Sequence, residues 1–237
     1  QHLLGDLGAG QAAREMLHAH NSGVQVTEVS GSLTDHFDPT RRLVGLSNAV
    51  YGSSSISALA VAAHEIGHVL QYEEGYSLMT LRSKILPAAQ LGSNAGPIIA
   101  IVGLMIQSNF IASLGLYLYA AMFLFQLITL PVEINASKRG LDLLQEGSYI
   151  PREKEYAAKA VLRAAAMTYV WAAIASLLSL LRLAILVKGN RQAVLQLATD
   201  LINKAESTIQ GSGMGADKKA LVIAQLQAAG IEGTSWL

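Results

Sequence analysis

Two histidines four residues apart, with a glutamate directly after the first, stand at His64-Glu65-Ile66-Gly67-His68. On a helix, positions i and i+4 differ by about 40° around the axis, so both imidazoles leave one face and can share a zinc ion. Glu65 then reaches a water on that ion. Zinc lowers the pKa of such a water towards about 7, and the carboxylate takes its proton as the water attacks a peptide carbonyl. The chain has six His and eleven Glu, and random placement yields roughly 0.007 motifs of this form. Chance is therefore a poor explanation, although two histidines on an ordinary helix face is the bland alternative.

A catalytic zinc site needs three protein ligands and leaves one position open. The other histidines are His2, His18, His20 and His36, and no histidine follows His68. There is no cysteine, so thiolate ligands, disulfides and a cysteine nucleophile are excluded. The third ligand should be a carboxylate. Glu133 is the only charged residue between Lys84 and Lys138 and follows Pro131. An acidic group where an apolar stretch gives way to a polar one is costly unless it meets a cation or metal. The competing reading is a helix N-terminal carboxylate after Pro131, favoured by the helix dipole. Glu73 and Glu74 are rivals, too close along one helix to fold back onto the metal.

These groups need elements to carry them. The pattern predicts a short helix over 10–20, a strand over 24–30 and a hairpin over 32–47 that turns at Asp38-Pro39-Thr40. A helix follows from about Ser55 to Glu74, with Gly75 as a C-terminal stop. From Ile85 to Val132 there are 48 residues without Asp, Glu, Lys, Arg or His. A bilayer span takes about 20 apolar residues, so this length predicts two spans joined at Gln107-Ser108-Asn109. A third is expected over 164–187. Two spans return the chain to its starting side, which lets Glu133 rejoin the His64–His68 helix.

Only 14% of the chain is charged and mean hydropathy is +0.36. Soluble domains carry about 25% charged residues, so part of the surface is expected to face lipid. Lys+Arg and Asp+Glu balance at 17 each, which gives no sign of a nucleic-acid partner. The first 21 residues lack a signal-peptide pattern. Lys138, Arg139, Arg152, Lys154, Lys159 and Arg163 lie between the second and third spans, with Arg82 and Lys84 before the first. The positive-inside tendency makes that side cytoplasmic.

Further candidates are weaker. His36 and Asp38 read as hairpin-turn residues or as a substrate contact. Tyr72, Tyr76 and Arg82 could stabilise an oxyanion. Residues Arg42 to Ser47 could form an edge strand that pairs with an extended substrate.

The segments LTDHFDPTRRLVGLSNAVYGSSSISALAVAAHEIGHVLQ, LPVEINASKRGLDLL and KAVLRAAAMTYV resemble the bacterial YugP-type membrane zinc metallopeptidases over about residues 8–187. The resemblance implies ligands His64 and His68 and base Glu65. Glu133 with Ala136 is similar to the E-x-x-A ligand pattern of the HtpX-like gluzincins. Members usually carry Asp where this chain has Asn135, and usually begin with a further membrane helix. The tail after about Asn190 resembles the soluble tail of LL-H-type phage holins.

The expectation is a mainly α membrane protein with a small β-hairpin or sheet, a zincin-like helix and about three transmembrane helices. Residues 1–84 form the catalytic part, 85–187 the spans with the Glu133 segment, and 188–237 a helical appendage. The expected function is zinc-dependent endopeptidase in a bacterial plasma membrane, multi-pass, with Glu65 as base and His64, His68 and Glu133 as ligands. Its partners would be a protein or peptide substrate and lipid; an oligomer is compatible with the sequence. The rivals are a non-catalytic zinc-binding scaffold and a holin-like assembly protein driven by the tail.

Overall fold

The computed structural model describes residues 7–189; the appendage and the holin-like resemblance lie outside them. The described residues are mainly helical with one three-stranded sheet. Helix α1 (Ala9–Ala19) buries Ala12, Ala13, Met16 and Leu17, an apolar stripe one turn apart that faces the core. Strands β1 (Gln25–Val29), β2 (His36–Asp38) and β3 (Leu43–Ser47) follow.

The sheet order is β1-β3-β2, with β3 parallel to β1 and antiparallel to β2. The hairpin is present, and the Asp38 carboxylate closes its turn by accepting from the Thr40 and Arg41 amides at 2.9 and 3.1 Å. The expectation that residues 42–47 form an edge strand is overturned. β3 is the central strand, with Val44 and Leu46 fully buried. Its core, Leu43-Val44-Gly45-Leu46, has no polar side chain to turn outward, the pattern of a strand covered on both sides. Neither β3 edge is left for a substrate.

A short helix α2 (Asn48–Tyr51) leads to α3 (Ile56–Glu73). Ser55 caps α3 by accepting from the Ala58 amide at 3.2 Å. Gly75, at φ +68°, takes the left-handed conformation that ends a helix. The face of α3 that carries Leu59, Ala63, Ile66 and Leu70 packs into the same core as Val44, Leu144 and α1.

Three long helices complete the described residues: α4 (Ser77–Met105), α5 (Asn109–Glu146) and α6 (Glu155–Lys188). By length and composition all three can cross a membrane. The turn between α4 and α5 falls at Gln107–Ser108, where Gln107 has φ +56° and the Ser108 hydroxyl accepts from the Ile111 amide at 3.3 Å. α5 runs unbroken through Pro131. Glu133 therefore sits inside a continuous helix, and the reading of it as a helix N-terminal carboxylate is overturned. Proline within an apolar helix is tolerated where neighbours satisfy the freed carbonyls.

The described residues group into two compact units. One takes those up to Ser83 with Ile128–Val170; the other takes Lys84–Leu127 with those from Trp171. In the second, small residues allow close helix packing: a Cβ on Gly96 would come within 2.9 Å of the Gly115 carbonyl oxygen. The first unit holds every residue of the site below.

Candidate metal centre

Helix α3 offers His64 and His68 from one face, and α5 brings Glu133 to them. The Glu133 Oε2 atom lies 3.1 Å from His64 Nε2 and 3.3 Å from His68 Nε2. One donor atom from each residue falls within 4.8 Å of the others. Glu133 is only 2% exposed. The approach depends on two glycines. A Cβ on Gly67 would run into the Ala136 carbonyl, and one on Gly140 would meet the Ala63 carbonyl and the His64 amide at 2.9 Å. With no side chains there, the two helix backbones come close enough for the ligands to converge.

The donor set fits zinc. Tetrahedral zinc with ligands about 2.0–2.2 Å away holds its donors roughly 3.3–3.6 Å apart, close to the two spacings between Glu133 and the imidazoles. The outer nitrogens of both imidazoles are engaged as well: His64 Nδ1 lies 3.1 Å from Ser137 Oγ, and His68 Nδ1 lies 2.9 Å from Gln71 Oε1. With the outer nitrogens engaged, both Nε2 atoms are the ones turned towards Glu133, where an ion would be held.

The electrostatics are those of a buried, charge-rich site. Burial pushes the Glu65 carboxyl above its ordinary value; His68 and His64 pull it back only in part. For His68, burial alone would lower the pKa, but the hydrogen bond and charge of Glu133, with the charge of Glu65, raise it above its usual range. Both groups thus hold protons more readily than in water.

Other candidates separate clearly. Arg82 reaches the site, with Nη1 3.8 Å from Glu133 Oε1. Tyr72 is exposed and its ring meets Phe37 edge-on at 5.7 Å. Tyr76 serves the end of α3, its amide donating to the Gln71 carbonyl at 2.9 Å. His36 Nδ1 lies 2.7 Å from the Thr34 carbonyl oxygen. Glu73 accepts from Ser22 Oγ at 2.8 Å and pairs with Arg42 at 3.5 Å, while Glu74 pairs with Arg139 at 2.6 Å. Neither joins the metal cluster.

Gln71 and Tyr169 reach the site without having been singled out in the sequence. Gln71, wholly buried, touches His68, the Val132 carbonyl and Asn135. Tyr169, from α6, stands near enough to Glu133 to feel its charge. Asn135 supplies a carbonyl oxygen that accepts from Gln71 Nε2 at 2.9 Å and from Arg139 Nε at 2.8 Å. The i+3 spacing of His68 and Gln71 on one helix face was the available clue for Gln71.

Residues 4–188 match the family described as "Putative neutral zinc metallopeptidase". The "Putative membrane protease YugP" of Bacillus subtilis is 45% identical over 168 residues, which is 71% of this chain and 75% of that protein. No solved structure matches the chain.

Proposed function

The chain belongs to the neutral zinc metallopeptidase family that spans its residues 4–188, and on that premise we propose that it is a membrane-embedded endopeptidase. His64, His68 and Glu133 hold the zinc and Glu65 is the general base. Zinc bound there would supply Lewis-acid chemistry, able to polarise a carbonyl and acidify a water. The Glu65 carboxylate takes the proton of the attacking water and delivers it to the departing amide nitrogen. Its burial suits the task, because a carboxyl raised towards neutral pH both accepts and returns a proton. Arg82 and Tyr169, beside Glu133, are available to meet the negative charge that builds on the carbonyl oxygen.

One observation carries the reading. The Nε2 atoms of two imidazoles converge on a single buried carboxylate oxygen, with Glu65 on the same helix directly after the first. The substrates are proteins or peptides at the membrane. The basic residues flanking the spans favour a cytoplasmic catalytic side.

The test is Glu65→Gln in the detergent-purified full chain, with casein as an unfolded substrate. Wild type is expected to bind one zinc per chain. The variant should bind it equally while cleavage falls by about 10²–10⁴-fold. Zinc retained with unaltered cleavage would leave the metal as part of a scaffold and end the peptidase mechanism.

A further inference from the structure

We infer that Gln71 is the positioning residue of this centre: it commits His68 to present Nε2, and not Nδ1, to the ion. The inference rests on the metal-centre reading above. The guanidinium of Arg139 has only donors. Its Nε donates to Asn135 Oδ1 at 2.8 Å, and that fixes the orientation of the Asn135 amide. The same Oδ1 lies 2.9 Å from one arm of the Gln71 amide, which is also 2.8 Å from the Val132 carbonyl oxygen. Both neighbours are acceptors, so that arm is the nitrogen.

The other arm of Gln71 is then the oxygen, and it lies 2.9 Å from His68 Nδ1. An amide oxygen only accepts, so Nδ1 carries hydrogen. A neutral imidazole has a single N–H, and Nε2 is left with a bare lone pair. That lone pair faces Glu133 Oε2 at 3.3 Å. Two acceptors aimed at each other in a buried site need a positive group between them: a proton can fill that place in the metal-free chain, and a bound metal would take it over.

His64 has no equivalent constraint. Its Nδ1 partner is the Ser137 hydroxyl, which can donate or accept and so selects nothing. Gln71 is wholly buried, so water cannot take its place. Its nitrogen also holds the carbonyl of Val132, the residue before Glu133. One amide therefore orients a ligand on α3 and anchors the helix that carries the ligand on α5.

The test separates these two jobs by measuring zinc affinity through chelator competition on the full chain, together with the Tm of the metal-free protein. Gln71→Met keeps the length and removes all three polar contacts; its zinc Kd should weaken about 10–100-fold, the usual effect of losing such a partner. Gln71→Glu keeps an acceptor on His68 Nδ1 and loses the donor to Val132. It should lower the metal-free Tm yet bind zinc at least as tightly as wild type. If both variants lose affinity alike, the helix tie is the whole role and the inference falls; wild-type affinity in Gln71→Met also overturns it. Should Gln71→Met not fold, Gln71→Glu decides alone, since a tenfold or greater loss of affinity there contradicts the inference. Wild type that binds no zinc would instead sink the proposed function, and this inference with it.

Discussion

Gly67 lies against Ala136 with no room for a side chain between them, because a Cβ on Gly67 would run into the Ala136 carbonyl oxygen. Within a helix, glycine is ordinarily about 1 kcal/mol worse than alanine, so Gly67→Ala would stabilise α3 in isolation. Here the contact reverses the sign. Overpacking typically costs about 1–3 kcal/mol, and the displaced neighbour is backbone that cannot rotate away. Gly67→Ala should lower the Tm and weaken zinc binding together, since moving Ala136 moves Glu133 one turn earlier. An alanine variant that melts at or above wild type would disprove the close approach.

Glu133 is the group on which convergence depends. Glu133→Gln keeps the shape and removes the charge. Zinc affinity should fall by at least ~100-fold, the upper end of what outer-sphere partners contribute. The check is zinc content after dialysis against a chelator. Stoichiometric zinc in the variant would transfer the ligand role to another residue.

Much of this arrangement was legible before any coordinates. The His64–His68 spacing marks a helix face, the charge-free run from Ile85 predicts two spans, and the turn at 107–109 lies where α4 gives way to α5. The isolation of Glu133 singled it out by cost. What the sequence withheld depends on contacts between distant elements. β3 reads as a hairpin arm beside Arg41 and Arg42, and its central place emerges only when β1 pairs on its other side. Pro131 looks like a break, yet α5 continues through it because an apolar helix can satisfy the freed carbonyls from neighbours. Gln71, Ser137 and Tyr169 are common residue types whose place at the site exists only because α3, α5 and α6 meet there.

Proton competition sets the pH dependence of metal binding. The hydrogen bond and charge of Glu133 outweigh burial and raise the His68 pKa above its ordinary 6.5. A raised value means that the folded, metal-free chain binds this proton more tightly than the unfolded chain. The associated stability is complete below the unfolded value and is lost as pH rises through the folded one. Zinc must displace the same proton. Its affinity should therefore weaken about tenfold per unit as pH drops below the raised pKa, and level off above it. Chelator competition across roughly pH 5.5–8.5 tests this, with the metal-free Tm expected to fall over the window where affinity climbs. Affinity that stays flat between about pH 6 and 7 would contradict the raised value.

Tyr169 is the phenol that α6 brings near Glu133. It can serve in either of two ways: by holding Glu133 in place, or by donating to the carbonyl oxygen as that atom gains charge. Removing only the hydroxyl distinguishes them. A donor that acts in the transition state is worth about 10²–10³ in kcat, and its loss leaves ground-state binding intact. Tyr169→Phe should accordingly lower kcat by that factor with KM and zinc affinity near wild type. If zinc affinity falls while kcat recovers under excess zinc, the hydroxyl acts through Glu133. The charge on the oxyanion would then be left to Arg82, whose guanidinium already stands 3.8 Å from the same carboxylate.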